Sequence, residues 1–233
     1  MKNLKVALVL FLLVLTNTVT AQDADWANLH RYQEANVKLK APDKREARVV
    51  FMGNSITEKW GIRDSMFWKG KSYINRGISG QVTSQMLLRF RSDVINLSPK
   101  VVVILAGTND IAQNKGPITI EQIAGNIFSM IELAQAHQIK VVLCSVLPAL
   151  QYKWRKEIKP AEKIVELNKL LKAYAKKNKI TYVDCYSLMV NENKGLKKEL
   201  SPDGVHPNFQ GYQLMGEMFD DAIDKTLSKK RRK

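Results

Sequence analysis

Apolar residues recur along this chain in two alternating rhythms. One is a set of short, continuous runs rich in β-branched side chains: Val49-Val50-Phe51-Met52, Val101-Val102-Val103-Ile104-Leu105-Ala106 and Val141-Val142-Leu143-Cys144. Unbroken runs of this kind mark strands buried on both faces. Tyr73-Ile74-Asn75 and residues 180–183 are briefer versions, which brings the expected strands to five. The other rhythm has helical spacing. It carries Met86, Leu87, Phe90, Val94 and Ile95, then Ile120, Ile123, Ile127, Ile131 and Ala134. Ile164, Leu167, Leu171 and Tyr174 follow, and Phe209, Tyr212, Met215, Phe219 and Ile223 close the series. Pro99 ends the first of these helices, and Pro160 stands near the start of the third, where its missing N–H costs nothing. Further helices are predicted over residues 25–39 and 64–68, and the fourth strand over 140–147. Strands alternating with helices, with no repeat or low-complexity linker between them, predict an α/β fold. Its five-stranded parallel sheet should be covered on both faces, in flavodoxin-like order.

The two ends depart from this pattern. Lys2 and Lys5 precede an apolar run over residues 6–15, with small residues at Val19 and Ala21. Residues 1–21 therefore read as a signal peptide, its apolar run too short for a membrane span. The expectation is export to a periplasmic or extracellular space, a folded domain over 22–228, and no membrane insertion once the leader is removed. Residues 229–233, Lys-Lys-Arg-Arg-Lys, read as a disordered basic tail. The formal charge of +15 includes two lysines of the leader and five cations of the tail, which leaves +8 on the body. No aromatic-basic interleaving accompanies that charge, so nucleic acid is not expected as a partner. Two cysteines, Cys144 and Cys185, each end a strand-like run. They read as small buried side chains, bridgeable if their strands are neighbours.

Candidate chemistry appears when only the residues just past each strand are read. They are Gly53-Asn54-Ser55, Arg76-Gly77-Ile78-Ser79-Gly80, Gly107-Thr108-Asn109-Asp110 and Ser145-Val146-Leu147-Pro148; well after the fifth strand comes Ser201-Pro202-Asp203-Gly204-Val205-His206-Pro207. A parallel sheet gathers all of these at its carboxyl edge. Ser55 needs an imidazole to accept its proton, and that imidazole needs an acid to fix its tautomer. Of three histidines, His30 precedes the core and His137 falls at the amino edge, so His206 is the base, with Asp203 as its nearest acid. The N–H groups of Ser55 and Gly80 and the side-chain amide of Asn109 are candidate donors to an oxyanion. Read alone, the segment 203–207 would serve equally well as a polar turn capping the last helix.

These blocks resemble the SGNH hydrolases, also called the GDSL esterase/lipase family. Ser55 in Gly53-Asn54-Ser55-Ile56 matches the nucleophile block and Gly80 in Gly77-Ile78-Ser79-Gly80 the second. Asn109 in Gly107-Thr108-Asn109-Asp110 matches the third, and Asp203-x-x-His206 the last. The resemblance covers essentially the whole mature chain and implies an α/β/α sandwich. It is nearest to platelet-activating-factor acetylhydrolase-like and sialate O-acetylesterase-like members. One position departs: Asn54 stands where the family has aspartate.

The expected function is a serine esterase removing a short acyl group, acetyl first, from a carbohydrate or similar alcohol, with no metal or organic cofactor. A phospholipid or lysophospholipid acylhydrolase is the alternative, and a non-catalytic carbohydrate-binding protein on the same scaffold is the third reading. Trp60 and Trp68 are expected in the core. Trp154, in a polar connection beside the site with Lys153 and Arg155, and Asn54 are candidate substrate contacts.

Overall fold

A computed structural model describes residues 25–229, so the expected leader over residues 1–21 and residues 230–233 of the expected tail lie outside the described residues. Five parallel strands form one sheet: β1 (Val49–Gly53), β2 (Tyr73–Gly77), β3 (Val101–Leu105), β4 (Lys140–Cys144) and β5 (Thr181–Val183), in the order β2-β1-β3-β4-β5. This is the flavodoxin-like order the sequence predicts. Every residue of β1 and β3 is buried, which is why neither strand shows a polar alternation.

Alternation along each strand divides the core in two. Val50, Met52, Val102, Ile104, Val141 and Leu143 face one side, where they meet α3 (Thr83–Asp93), α5 (Ile120–Ala136) and α6 (Ala161–Lys177). Val49, Phe51, Val101, Val103, Val142 and Cys144 face the other, against α2 (Ser55–Arg63), α7 (Cys185–Met189) and α8 (Phe209–Ser228). On that second side Phe51, Trp60, Phe67, Trp68, Tyr73 and Phe219 form an aromatic cluster, with Phe51 and Trp68 centroids 5.0 Å apart. Trp60 and Trp68 are thus packing residues, as expected.

Some boundaries differ from the sequence reading. Residues 25–39 do not form one helix. The Asp25 carboxylate accepts the N–H groups of Leu29 at 2.7 Å and His30 at 2.9 Å, and Asn28 turns left-handed. A side chain competing for backbone donors in this way favours turns, and only α1 (Gln33–Lys38) is helical. His30 therefore sits in a turn. The fourth strand stops at Cys144, not at residue 147. Asn168 on α6 takes the place of a strand partner there, accepting from Val146 N–H at 2.7 Å and donating to its carbonyl at 2.9 Å. Cys144 and Cys185 are buried, free and 3.4 Å apart at sulfur. Burial pushes the Cys144 thiol well up.

The registers Gly53↔Gly77 and Gly53↔Leu105 bring the carboxyl ends of β1, β2 and β3 level. From β1 the chain runs outward to β2 and then back across to β3. The crevice beyond β1 and β3 is therefore the topological switch point, where this class of sheet places its ligands. Close approach is built in: a Cβ on Gly77 would lie 2.2 Å from Glu58 N.

Candidate active site

Ser55 opens α2 directly past β1. Asn54 is the N-cap of that helix, its Oδ1 accepting the Ile56 N–H at 3.0 Å. The side chain is 1 % exposed and occupied by this bond, so Asn54 faces the protein rather than a substrate. A cap needs an acceptor oxygen and no charge, which accounts for asparagine at this position. Position N1 leaves the Ser55 N–H without an intrahelical partner.

The Ser55 hydroxyl lies 2.9 Å from His206 Nε2, and His206 Nδ1 lies 2.7 Å from Asp203 Oδ2. The turn carrying both partners is fixed internally. Asp203 Oδ1 accepts the N–H groups of Val205 at 2.9 Å and His206 at 2.8 Å, while the Ser201 hydroxyl donates to the His206 carbonyl at 2.7 Å. Partial burial raises the Asp203 carboxyl, but the hydrogen bonds from the His206 N–H, the His206 ring and the Val205 N–H outweigh it and hold the group at about 2. This turn does not cap the last helix. Asn208 does, accepting the Gly211 N–H at 3.0 Å.

Gly80 lies three residues beyond β2 at φ +77°, with open space where a Cβ would stand. The Glu58 carboxylate on α2 accepts the Ser79 N–H at 2.9 Å and ties this loop to the serine's own helix. Asn109, in α4 (Thr108–Ile111) past β3, reaches the same loop: its Nδ2 donates to the Gln81 carbonyl at 2.9 Å. An amide nitrogen carries two hydrogens, so one remains for a ligand. The structure therefore draws Ser55, His206 and Asp203 into one hydrogen-bonded line, with Asn109 joined to the loop of Gly80. Trp154 is 45 % exposed, and its indole N–H donates to Asn114 Oδ1 at 2.9 Å.

Three contributors have no role in the sequence reading: Arg89, Asn114 and Asp110. Asp110 accepts the Thr83 hydroxyl at 2.6 Å and the Thr83 N–H at 2.9 Å, closing the amino end of α3. Burial pushes its carboxyl up to about 6 against these bonds. The folded state therefore holds this proton more tightly than the unfolded chain. The stabilisation is complete below about pH 4 and lost as pH rises through about 6, a change of about 3 kcal/mol. Asp110→Asn is expected to remove that slope in urea unfolding measured from about pH 4 to about pH 7. Parallel pH curves for parent and variant would contradict it.

Fold and side-chain geometry together define an α/β protein with a Ser-His-Asp line at the carboxyl edge of a doubly wound sheet. The profile of the GDSL-like Lipase/Acylhydrolase family matches residues 51–214, and the chain belongs to this family of ester hydrolases. It is similar to a solved structure of a candidate acylhydrolase from Bacteroides fragilis, at 54% identity and a TM-score of 0.86 over 88% of this chain and 100% of that one. Platelet-activating factor acetylhydrolase IB subunit alpha2 of Homo sapiens is 29% identical over 64% of this chain and 62% of its own. An acetylxylan esterase of Xylanibacter ruminicola is 25% identical over 79% of this chain and 45% of its own. The chain thus spans less than two thirds of these two curated relatives. Among the described residues no helix is long and apolar enough to cross a membrane.

Proposed function

We propose that the protein is an exported serine esterase that removes a short acyl group, acetyl first, from a carbohydrate or similar alcohol. The observation that carries this reading is the 2.9 Å contact of Ser55 Oγ with His206 Nε2. Ser55 Oγ attacks the ester carbonyl while His206 Nε2 takes its proton, and Asp203 stabilises the imidazolium. The N–H groups of Ser55 and Gly80 and the second N–H of Asn109 receive the oxyanion. Collapse of the intermediate expels the alcohol, which collects the proton from His206. Water, deprotonated by the same nitrogen, then attacks the acyl-Ser55 ester and frees the carboxylic acid and the serine.

We assign the alcohol to the space beside Asp203. A cavity of about 580 Å³ there is lined by Gln151, Lys153, Asn191 and Lys198 as well as Leu150 and Leu196. Amide and ammonium groups suit a hydroxyl-rich leaving group, and the exposed ring of Trp154 suits the apolar face of a sugar. The acetylxylan esterase relative supports acetyl as the acyl group. The platelet-activating factor acetylhydrolase relatives favour a second reading, a phospholipid or lysophospholipid acylhydrolase. The leader-like residues 1–21 support export.

A panel of acetyl, butyryl and octanoyl esters, acetylated xylo-oligosaccharides and a lysophospholipid separates the readings, with Ser55→Ala as the blank. Acetyl esters are expected to be turned over fastest. Preference for the lysophospholipid moves the assignment to the second reading. A folded protein that leaves a fluorophosphonate probe unreacted sinks the esterase assignment altogether.

A further inference from the structure

We propose that Asn114 and Trp154 are positioning residues that fix which way the Asn109 amide faces, so that the indole N–H sets the polarity of the oxyanion site two side chains away. The inference rests on the reading of Asn109 as an oxyanion donor.

A carboxamide occupies nearly the same space after a half-turn, but its donor and acceptor exchange places. Something outside the amide must therefore choose its orientation. An indole N–H can only donate. That of Trp154 meets Asn114 Oδ1 at 2.9 Å, which fixes the oxygen of Asn114 on the Trp154 side. The nitrogen of Asn114 is then the end that faces Asn109, and it donates to Asn109 Oδ1 at 3.0 Å. With its oxygen so engaged, Asn109 turns its nitrogen to the Gln81 carbonyl at 2.9 Å, next to Gly80. The half-turned amide would set oxygen against the Gln81 carbonyl and nitrogen against the nitrogen of Asn114.

The relay is held as a unit. The backbone N–H of Asn114 donates to the Asn109 carbonyl at 3.0 Å, which keeps both residues in one turn. The Trp154 ring stacks on buried Tyr152 with centroids 5.1 Å apart, and Arg155 donates to the Gln113 carbonyl at 3.3 Å. Because Trp154 is 45 % exposed, a substrate lying on its ring touches the first member of the relay.

The decisive comparison is Asn114→Asp against Asn114→Ala. Aspartate keeps the shape and the bond to Trp154, but it offers Asn109 an acceptor. The Asn109 nitrogen is drawn toward it, and an oxygen turns to the oxyanion side. Alanine only removes one of two anchors and leaves the Gln81 carbonyl. Asn114→Asp is therefore expected to lower kcat about 10²-fold and Asn114→Ala about tenfold, with KM for a short-chain ester nearly unchanged. A purely structural role predicts the reverse order, since aspartate is the isosteric change; because the added anion would itself oppose an oxyanion, Trp154→Phe, which alters no charge, must lose activity as well. Equal activity of Asn114→Asp and the parent, or a smaller loss than in Asn114→Ala, overturns the proposal. If Asn114→Asp folds poorly by thermal unfolding, Trp154→Phe decides instead. It keeps a ring on an exposed site and loses only the N–H, so a several-fold fall in kcat is expected and an unchanged kcat overturns the relay. Asn109→Ala is measured alongside. Full activity there refutes the oxyanion assignment itself, whereas a damaged Asn109→Ala with a normal Asn114→Asp refutes the relay alone.

Discussion

Asp203→Asn is expected to lower kcat on a short-chain ester by a factor on the order of 10⁴ while leaving the fold intact. The reason lies in how the carboxylate is shared. One oxygen of Asp203 accepts two backbone N–H groups, from Val205 at 2.9 Å and His206 at 2.8 Å. The other meets His206 Nδ1 at 2.7 Å. An asparagine here keeps its single oxygen on the two backbone donors, because its nitrogen cannot accept from them. The nitrogen then faces Nδ1 and forces that atom to become an acceptor. The ring proton moves to Nε2, the atom that takes the Ser55 proton in the proposed mechanism, and the base is blocked. Mild acid does not reproduce this state. The Asp203 carboxyl is held at about 2, so it is still ionised at about pH 4. A kcat within tenfold of the parent, in a variant of unchanged thermal stability, removes Asp203 from its proposed role.

The same turn illustrates what was legible in the sequence. Ser55, His206 and Asp203 could be named because a parallel sheet makes a simple promise: whatever follows its strands meets at one edge. The apolar runs located the strands, and the histidines at positions 30 and 137 fell away on position alone. Asp203 had a competing assignment as a helix cap, a post that Asn208 holds in the folded chain. Side-chain hydrogen bonds to backbone are the common cause of what could not be read. Asn54 looked like a departure at the reacting centre, yet one bond to Ile56 makes it a cap. Asp25 dissolved half of an expected helix, and Asn168 ended β4 early. Arg89 and Asn114 were invisible for a related reason. Each works by an atom-to-atom match with a partner distant in sequence or across a turn, and residue type alone carries no trace of it.

Arg89→Met is expected to destabilise the protein by about 3–5 kcal/mol, the largest stability effect of any single change considered, and to depress activity further than folding accounts for. The guanidinium is 0 % exposed although it lies on a helix whose polar residues would be assigned to solvent. It donates to Gln81 Oε1 at 2.6 Å, to Asp93 Oδ2 at 3.0 Å and to the Gly53 carbonyl at 3.1 Å. Methionine fills similar space but strands an equally buried carboxylate, whose remaining hydrogen bonds come from the Asn36 amide at 2.7 Å and the Ser92 hydroxyl at 3.5 Å. An unpaired charge in that setting is the costly part. Two of the three lost bonds, however, hold the site: Gly53 immediately precedes Asn54-Ser55, and Gln81 follows Gly80 and accepts from Asn109. Stability and activity should therefore separate in a double variant. Arg89→Met with Asp93→Leu removes the stranded charge and is expected to regain most of the stability, measured by urea unfolding. It cannot restore donors to Gly53 and Gln81, so kcat should stay low. Recovery of both together would mean that Arg89 serves the core alone; recovery of stability without activity assigns the buried cation to the floor of the active site.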